Sequence, residues 1–168
     1  TTSLVSFPIG AKLIDVGKGD NGNEWAFDFV GNTFAAWSVD QNNPEFKQVD
    51  GVLYSKDGTR LISYPGGKEG EEFVVPDGVK RISSFAFYKN THLKKVTLPD
   101  SVESIGKSVF YGSVIENVVI GAGIKKIEYG AFANTEKTIK TIEFFGATAP
   151  EIEVGETGNA FGAAAKRT

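Results

Sequence analysis

The chain has 168 residues, 40% of them hydrophobic and 23% charged, and its formal net charge is −3. This composition indicates a folded, soluble chain of about one domain, and the lack of a basic excess argues against a nucleic-acid-binding protein. No stretch approaches the roughly 18 consecutive apolar residues of a membrane-spanning helix. With no cysteine and a single histidine, His92, the chain excludes disulfides, thiolate zinc sites, cysteine nucleophiles and multi-histidine metal sites. It has no methionine and starts at Thr1, so we expect a processed or trimmed piece of a protein.

The N-terminal part carries a degraded form of a pattern that is clearer further on. Phe7, followed by Pro8, resembles the end of one repeat, and the polar run at 17–24 resembles an insertion. The pair Ala26-Phe27 is followed by Phe34 and Trp37 at the same steps as in a later copy. We therefore predict a capping or degenerate repeat over 1–25 and a repeat with an inserted hairpin over 26–75.

Residues 51–65 carry the signature of the inserted β-hairpin. Asp57-Gly58 lies between two β-prone runs, and this dipeptide is typical of a type I′ turn. In the register that such a turn sets, Tyr54 faces Leu61 and Leu53 faces Ile62.

Three regular copies of the pattern fill 76–144. Ile82 lies 23 residues before Ile105, which lies 22 residues before Ile127. A period of this length excludes the longer helical repeats and fits a leucine-rich repeat. The pair Ala160-Phe161 begins another copy without a closing strand, so 145–168 are predicted to form a truncated last repeat within one domain that covers 1–168.

The alternation within each copy predicts one short strand per coil. In the run from Leu93 to Leu98, Val96 and Leu98 point inward, whereas Lys95 and Thr97 point outward. A single coil cannot bury its apolar side alone, so neighbouring coils must cover it. The predicted fold is a β-rich leucine-rich repeat solenoid. It is a right-handed coil with a short parallel sheet on its concave face, irregular or short-helical turns, and the inserted hairpin.

This repeat resembles that of the BspA-like, or treponemal-type, leucine-rich repeat family, whose pattern is similar to L-x-x-I-x-L-P-x-x-V-x-x-I-G-x-x-A-F. The copy from Leu93 through Pro99 to Phe110 matches nearly in full, although Val109 replaces the usual Ala, and the copy at Gly121 lacks the proline. The resemblance covers roughly residues 26–161. It implies a secreted or surface-attached bacterial protein that adheres to host matrix proteins, host cells or other bacteria, with no general enzymatic activity.

No motif of the chain predicts catalysis or metal binding. His92 has no Ser or Cys motif around it and is interpreted as an exposed loop residue. The loop 20–24 has oxygen ligands but lacks the spacing of a calcium site, and 66–72 resembles a phosphate-binding loop only in its glycines. We therefore predict no enzyme and no cofactor.

The candidate binding site is the outward side of the predicted strands, because repeat proteins bind partners over such extended faces. Its residues are Ala36, Ser38, Lys95, Thr97, Asn117, Val119, Thr141 and Glu143. Exposed aromatic residues are candidate anchors, with ordinary packing against a neighbouring turn as the alternative for the two tyrosines. These are Tyr88, Tyr111 and Phe145.

Two functions from different classes fit these features. The first is a non-catalytic adhesion module, extracellular or at the cell surface. It would recognise a protein or glycan, and not nucleic acid, through the concave face or the hairpin. The alternative is a structural spacer that presents another domain of a longer surface protein. An enzyme would need a site built from Asp, Glu and Lys alone.

Overall fold

The computed structural model describes residues 6–10, 34–135, 137–155 and 158–161. Short strands joined by turns make up this part of the chain, and no helix occurs in it. The strands are β1 (Ser6–Ile9), β2 (Ala36–Val39), β3 (Phe46–Val49), β4 (Val52–Ser55), β5 (Arg60–Ser63), β6 (Glu72–Val74), β7 (Arg81–Ile82), β8 (Lys95–Leu98), β9 (Ser104–Ile105), β10 (Asn117–Ile120), β11 (Lys126–Ile127), β12 (Thr141–Phe144) and β13 (Glu151–Ile152).

The first wall of the solenoid is a parallel sheet with the strand order β12-β10-β8-β6. Successive strands pair in strict register, with Val118 opposite Val96 and Ile120 opposite Leu98. These residues are buried, and Lys95 and Thr97, which alternate with them along β8, are partly exposed, as the alternation predicts. Four coils of a parallel β-solenoid are therefore stacked directly on one another.

The opposite wall is a second sheet, which the sequence did not predict, whereas the turns that join the described strands are irregular, one of the two predicted forms. Here β7, β9, β11 and β13 pair in parallel, each only two residues long. Ile82 lies opposite Ile105, which lies opposite Ile127, and all three are completely buried. An extended pair of residues lets each coil hydrogen-bond its backbone to the next coil, which satisfies polar groups that a buried irregular turn would leave unpaired.

A column of stacked aromatic rings runs along the core. The rings of Phe87 and Phe110 are 5.2 Å apart, those of Phe110 and Phe132 5.3 Å, and those of Phe132 and Phe161 5.4 Å. Tyr64 extends the column, 5.4 Å from Phe87. This column explains why Phe recurs at the repeat period, because each buried ring stacks on the ring at the equivalent position of the next coil.

The predicted hairpin is part of a three-stranded antiparallel unit, β3-β4-β5, that continues the second sheet. On β4, Val52 and Tyr54 pack into the core of the coils, whereas Leu53 packs into a second cluster with Trp37 and Ile62. β5 pairs in parallel with β7. The unit is therefore a shared wall between two cores and not an appendage.

The type of the β4–β5 turn differs from the prediction. At Asp57-Gly58 only Gly58 has a positive φ, and its N–H donates to the Ser55 carbonyl at 2.9 Å. The type I′ geometry instead occurs at Asp50-Gly51, between β3 and β4, where φ is 49° and 73°.

The register of this hairpin is also partly corrected. Tyr54 lies opposite Leu61 as predicted, but Leu53 lies opposite Ser63 and not Ile62, because a β-bulge intervenes. β5 pairs with β4 along one edge and with β7 along the other. Because a bulge increases strand twist, it lets β5 turn away from β4 toward β7.

The N-terminal elements form a small parallel sheet. β1 pairs with β2, with Phe7 opposite Trp37, and Trp37 is buried as predicted. The predicted cap over 1–25, the insertion at 17–24, the loop 20–24 and the pair Ala26-Phe27 lie largely or wholly outside the described residues.

Each coil bends at two left-handed residues that flank its core Phe. The first of these positions holds Phe85, Ser108 and Gly130, with φ of 61°, 50° and 67°. The second holds Lys89, Gly112 and Asn134. The left-handed region costs a non-glycine residue about 1–2 kcal/mol, yet different residue types adopt it, so the stacking of the coils sets this backbone shape.

Phe110→Ala tests the aromatic column. Phe110 is fully buried between two stacked rings, so its truncation should lower the free energy of unfolding by about 3–5 kcal/mol. Urea denaturation measures the change. Tyr111→Ala, at the next and partly exposed position, is the control and should cost clearly less. Equal losses would contradict the assignment of the column.

Ser108→Gly tests the left-handed position. It should stabilise the protein by about 0.5–1 kcal/mol, since relief of backbone strain outweighs the greater freedom of glycine in the unfolded chain. The converse change, Gly130→Ala, should destabilise it, because the φ of +67° disfavours any Cβ and the new atom would lie 3.3 Å from Ser108 Oγ. Thermal unfolding of both variants provides the comparison.

Asp57→Asn tests the loop between β4 and β5. Hydrogen bonds from Ser55 and Thr59 lower the pKa of Asp57 from 3.8 to about 2. The stabilisation by the charged carboxylate is therefore fully present above about pH 4 and disappears as the pH falls through about 2. The difference in Tm between wild type and variant should follow this curve, and a difference that is undiminished at pH 2 would contradict the assignment.

Candidate binding face

The outer side of the first sheet presents two rows of side chains, which we call the strand face. The register places Glu72, Lys95, Asn117 and Thr141 in one row and Val74, Thr97, Val119 and Glu143 in the other. Inward residues alternate with them and anchor every strand in the core. The strand face therefore has a rigid backbone beneath partly or fully exposed side chains.

The strand face contains six of the eight predicted residues. Ala36 and Ser38 lie instead on β2, which pairs with β1 in a separate sheet, so the prediction of one continuous row is wrong for them. The reason is that the three-stranded unit β3-β4-β5 follows β2 in the chain before the first regular coil begins.

Glu72 and Val74 are members of the face that the sequence interpretation missed. The signal was available, because Phe73, Val75 and Pro76 precede Val96, Leu98 and Pro99 by 23 residues each. The same subtraction places Glu72 beside Lys95, and the structure pairs them.

The first row is polar and lightly paired. Lys95 Nζ lies 3.9 Å from Glu72 Oε2, and Thr141 Oγ1 donates to Asn117 Oδ1 at 2.8 Å. An exposed ion pair at this distance contributes little to stability. These groups can therefore exchange their present contacts for contacts with a partner at small cost.

The second row is less polar. Val74 is 66% exposed, Thr97 and Val119 are partly exposed, and Glu143 adds a charge on the edge strand. The two rows together combine apolar contact area with separated charges of both signs on an extended surface.

A charged ladder borders the face at the residues that precede each strand. Lys94 donates to Glu71, and Lys140 donates to Glu116 at 2.6 Å. The hydrogen bond from Lys140 lowers the pKa of Glu116, and the hydrogen bond to Glu71 raises the pKa of Lys94. The signs alternate along the ladder, so the charges of this border balance.

Tyr88 and Tyr111 pack against each other beside the core. Their rings stack at 5.7 Å, and Tyr88 also meets the edge of Phe85 at 5.6 Å. Lys89 Nζ lies 5.1 Å from the centre of the Tyr88 ring. The two tyrosines thus pack as the alternative interpretation expected, with each ring partly exposed.

Phe145 is 65% exposed, as the sequence predicts. Phe144 lies opposite the buried Ile120, on the inward side of the sheet, but it is 41% exposed. Within the described part of the chain β12 pairs on one side only, so no further coil covers the ring of Phe144.

Among the described residues, no group of three or more His, Cys, Asp or Glu side chains could hold a metal ion. In the same part of the chain, no helix has the length and hydropathy needed to cross a membrane. His92 lies exposed in its loop.

Stacked parallel strands with a 22–23-residue period define a leucine-rich repeat protein. A family model described as BspA type leucine rich repeat region (6 copies) matches residues 66–153, more than half of the chain. The chain belongs to this family. No curated protein matches the sequence.

Three solved bacterial structures are similar to this chain. A leucine-rich repeat protein from Eubacterium ventriosum is 27% identical over 88% of the chain, with a TM-score of 0.71. The pneumococcal vaccine antigen PcpA is 31% identical over 67%, with a TM-score of 0.61. A leucine rich cell surface protein from Faecalibacterium prausnitzii is 25% identical over 86%, with a TM-score of 0.52. The matched part of the chain covers 38%, 30% and 49% of these proteins, respectively, which is less than half of each.

Proposed function

We propose that this chain is a non-catalytic binding module of a bacterial surface protein and that it recognises a protein partner through the strand face. The observation that carries the proposal is the pair of registered rows, which hold eight adaptable side chains on an unbroken parallel sheet. Repeat folds bind partners over extended faces of this kind, and no single pocket is needed.

The chemistry of the strand face favours a protein over other partners. Val74 and Val119 offer apolar area, and Lys95 and Glu143 offer opposite charges at separate places. The overall charge of −3 gives no attraction for a polyanion such as nucleic acid. Neither the family description nor the names of the similar structures mention a catalytic activity.

A location at the cell surface or outside the cell is part of the same proposal. One similar structure is named a cell surface protein and another a vaccine antigen. A module in that location would meet host matrix proteins, host cells or other bacteria, which makes adhesion the role that we infer.

The test exchanges two charges of the strand face. Lys95→Glu combined with Glu143→Lys keeps the net charge and leaves the buried residues unchanged, so folding should be preserved. Saturable binding of the wild-type chain to an immobilised layer of extracellular-matrix proteins and to whole epithelial cells is measured first. The double variant should then bind at least tenfold more weakly to whichever surface the wild type recognises.

A matched control carries the same exchange on the other sheet. Lys126 and Glu151 lie opposite each other on β11 and β13, so Lys126→Glu with Glu151→Lys repeats the change away from the strand face. This control should bind as the wild type does. Equal weakening by both variants would assign binding to another surface, and no saturable binding by the wild type would favour the structural spacer.

A further inference from the structure

A cavity of about 240 Å³ lies between the three-stranded unit β3-β4-β5 and the first regular coil. None of the strand-face residues lines it. It is smaller than the roughly 300–1,000 Å³ pockets that take drug-sized ligands. Its size therefore fits one small unit and not an extended peptide.

Two separate elements build the cavity. The first element is the β3-β4 part of the three-stranded unit. Lys47 on β3 lies opposite Tyr54 on β4, and Val49 follows Lys47 two residues later on the same side of the sheet. Across the gap, the turn that begins at Pro76 is closed by the hydrogen bond from the Val79 N–H to the Pro76 carbonyl, at 3.3 Å. Both elements pack on the coil core, so the opening is held by rigid walls.

The apolar part of the lining consists of Val49 and Pro76, which are exposed, and of Tyr54 and Val79, which are buried. Val49 is 52% exposed, so its side chain is accessible to a ligand. Burial, followed by the charge of Asp50, raises the pKa of Tyr54 to about 12. The phenol is therefore neutral at any physiological pH.

Charges of both signs stand around this apolar floor. Asp57 uses one oxygen, Oδ1, to accept hydrogen bonds from Ser55 and Thr59, so Oδ2 is left to accept from a ligand. Lys47 reaches over the same loop, since a Cβ at Gly58 would lie 2.6 Å from its Nζ. Asp77 supplies a second carboxylate from the facing turn.

We propose that this cavity binds one neutral sugar ring, a hexose or an N-acetylhexosamine at the end or within a glycan. The C–H face of such a ring packs on Val49 and Pro76, the exposed apolar residues of the lining. Its hydroxyls donate to the carboxylates of Asp57 and Asp77 and accept from the ammonium of Lys47.

The mixed charge of the lining disfavours the competing ligands. A lysine or arginine side chain would meet Lys47, whose charge already faces Asp57. An anion would meet two carboxylates. Only a neutral group that both donates and accepts hydrogen bonds uses all three charges, and hydroxyl groups do both. The site is independent of the strand face.

Titration of the ¹⁵N-labelled chain, followed by amide NMR shifts, tests the proposal. The probes are the methyl glycosides of glucose, galactose, mannose, N-acetylglucosamine and N-acetylgalactosamine. At least one should shift the amide signals of both Gly58 and Gly78, which line the cavity, in a saturable way at millimolar concentration.

Matched variants then locate the site. Asp77→Asn should weaken glycoside binding about fivefold, because a hydroxyl forms a weaker hydrogen bond with a neutral amide than with a carboxylate. Asp100→Asn makes the same change 23 residues further along, at the equivalent turn of the next coil and outside the cavity, and should leave binding unchanged.

The proposal is overturned if no glycoside shifts the signals of both Gly58 and Gly78, or if Asp77→Asn and Asp100→Asn bind glycosides equally well. It is also overturned if the chain binds Nα-acetyl-lysine amide or Nα-acetyl-arginine amide, used as cationic probes, and binds no glycoside. The Lys95→Glu, Glu143→Lys variant separates this site from the strand face, since it should retain glycoside binding whether or not the strand face recognises a protein.

Discussion

The register between successive coils is the constraint on which the rest of this protein depends. Each coil hides an apolar side that it cannot bury alone, and the next coil covers it residue for residue. The buried column of Ile82, Ile105 and Ile127 and the stacked rings of Phe87, Phe110 and Phe132 both follow from this register. The strand face follows as well, because its rows are the outward residues of the same strands.

The three-stranded unit β3-β4-β5 links this solenoid to a second core. β4 is buried on both sides, with Tyr54 toward the coils and Leu53 toward the cluster that includes Trp37. Two buried asparagines tie neighbouring segments together: Asn43 donates to the Gly10 carbonyl and Asn90 to the Pro65 carbonyl. Both accept backbone N–H groups with their side-chain oxygens. The cavity beside Lys47 exists because this unit and the first coil meet without closing completely.

The strands and the candidate face could be predicted to different extents. Inward and outward residues such as Val96 and Lys95 follow from alternation alone, which requires only that one side of a strand be buried. The exclusion of Ala36 and Ser38 could not be predicted, because it depends on which strands pair across the sheet. The turn type at Asp57-Gly58 could not be predicted either. Asp50-Gly51 is the same dipeptide, and the strand pairing on each side of β4 determines which of the two turns is of type I′.

The sequence by itself determined the period, the family, and the residues that each coil buries, because side-chain hydrophobicity at a fixed spacing is a local property of the chain. The tertiary structure decided the second parallel sheet, the left-handed bends at Phe85 and Ser108, and the cavity between hairpin and coil. These features arise from backbone pairing between segments 21 to 23 residues apart. Such pairing is governed by the shape of the assembled neighbours, and the residue types at the bends do not reveal it.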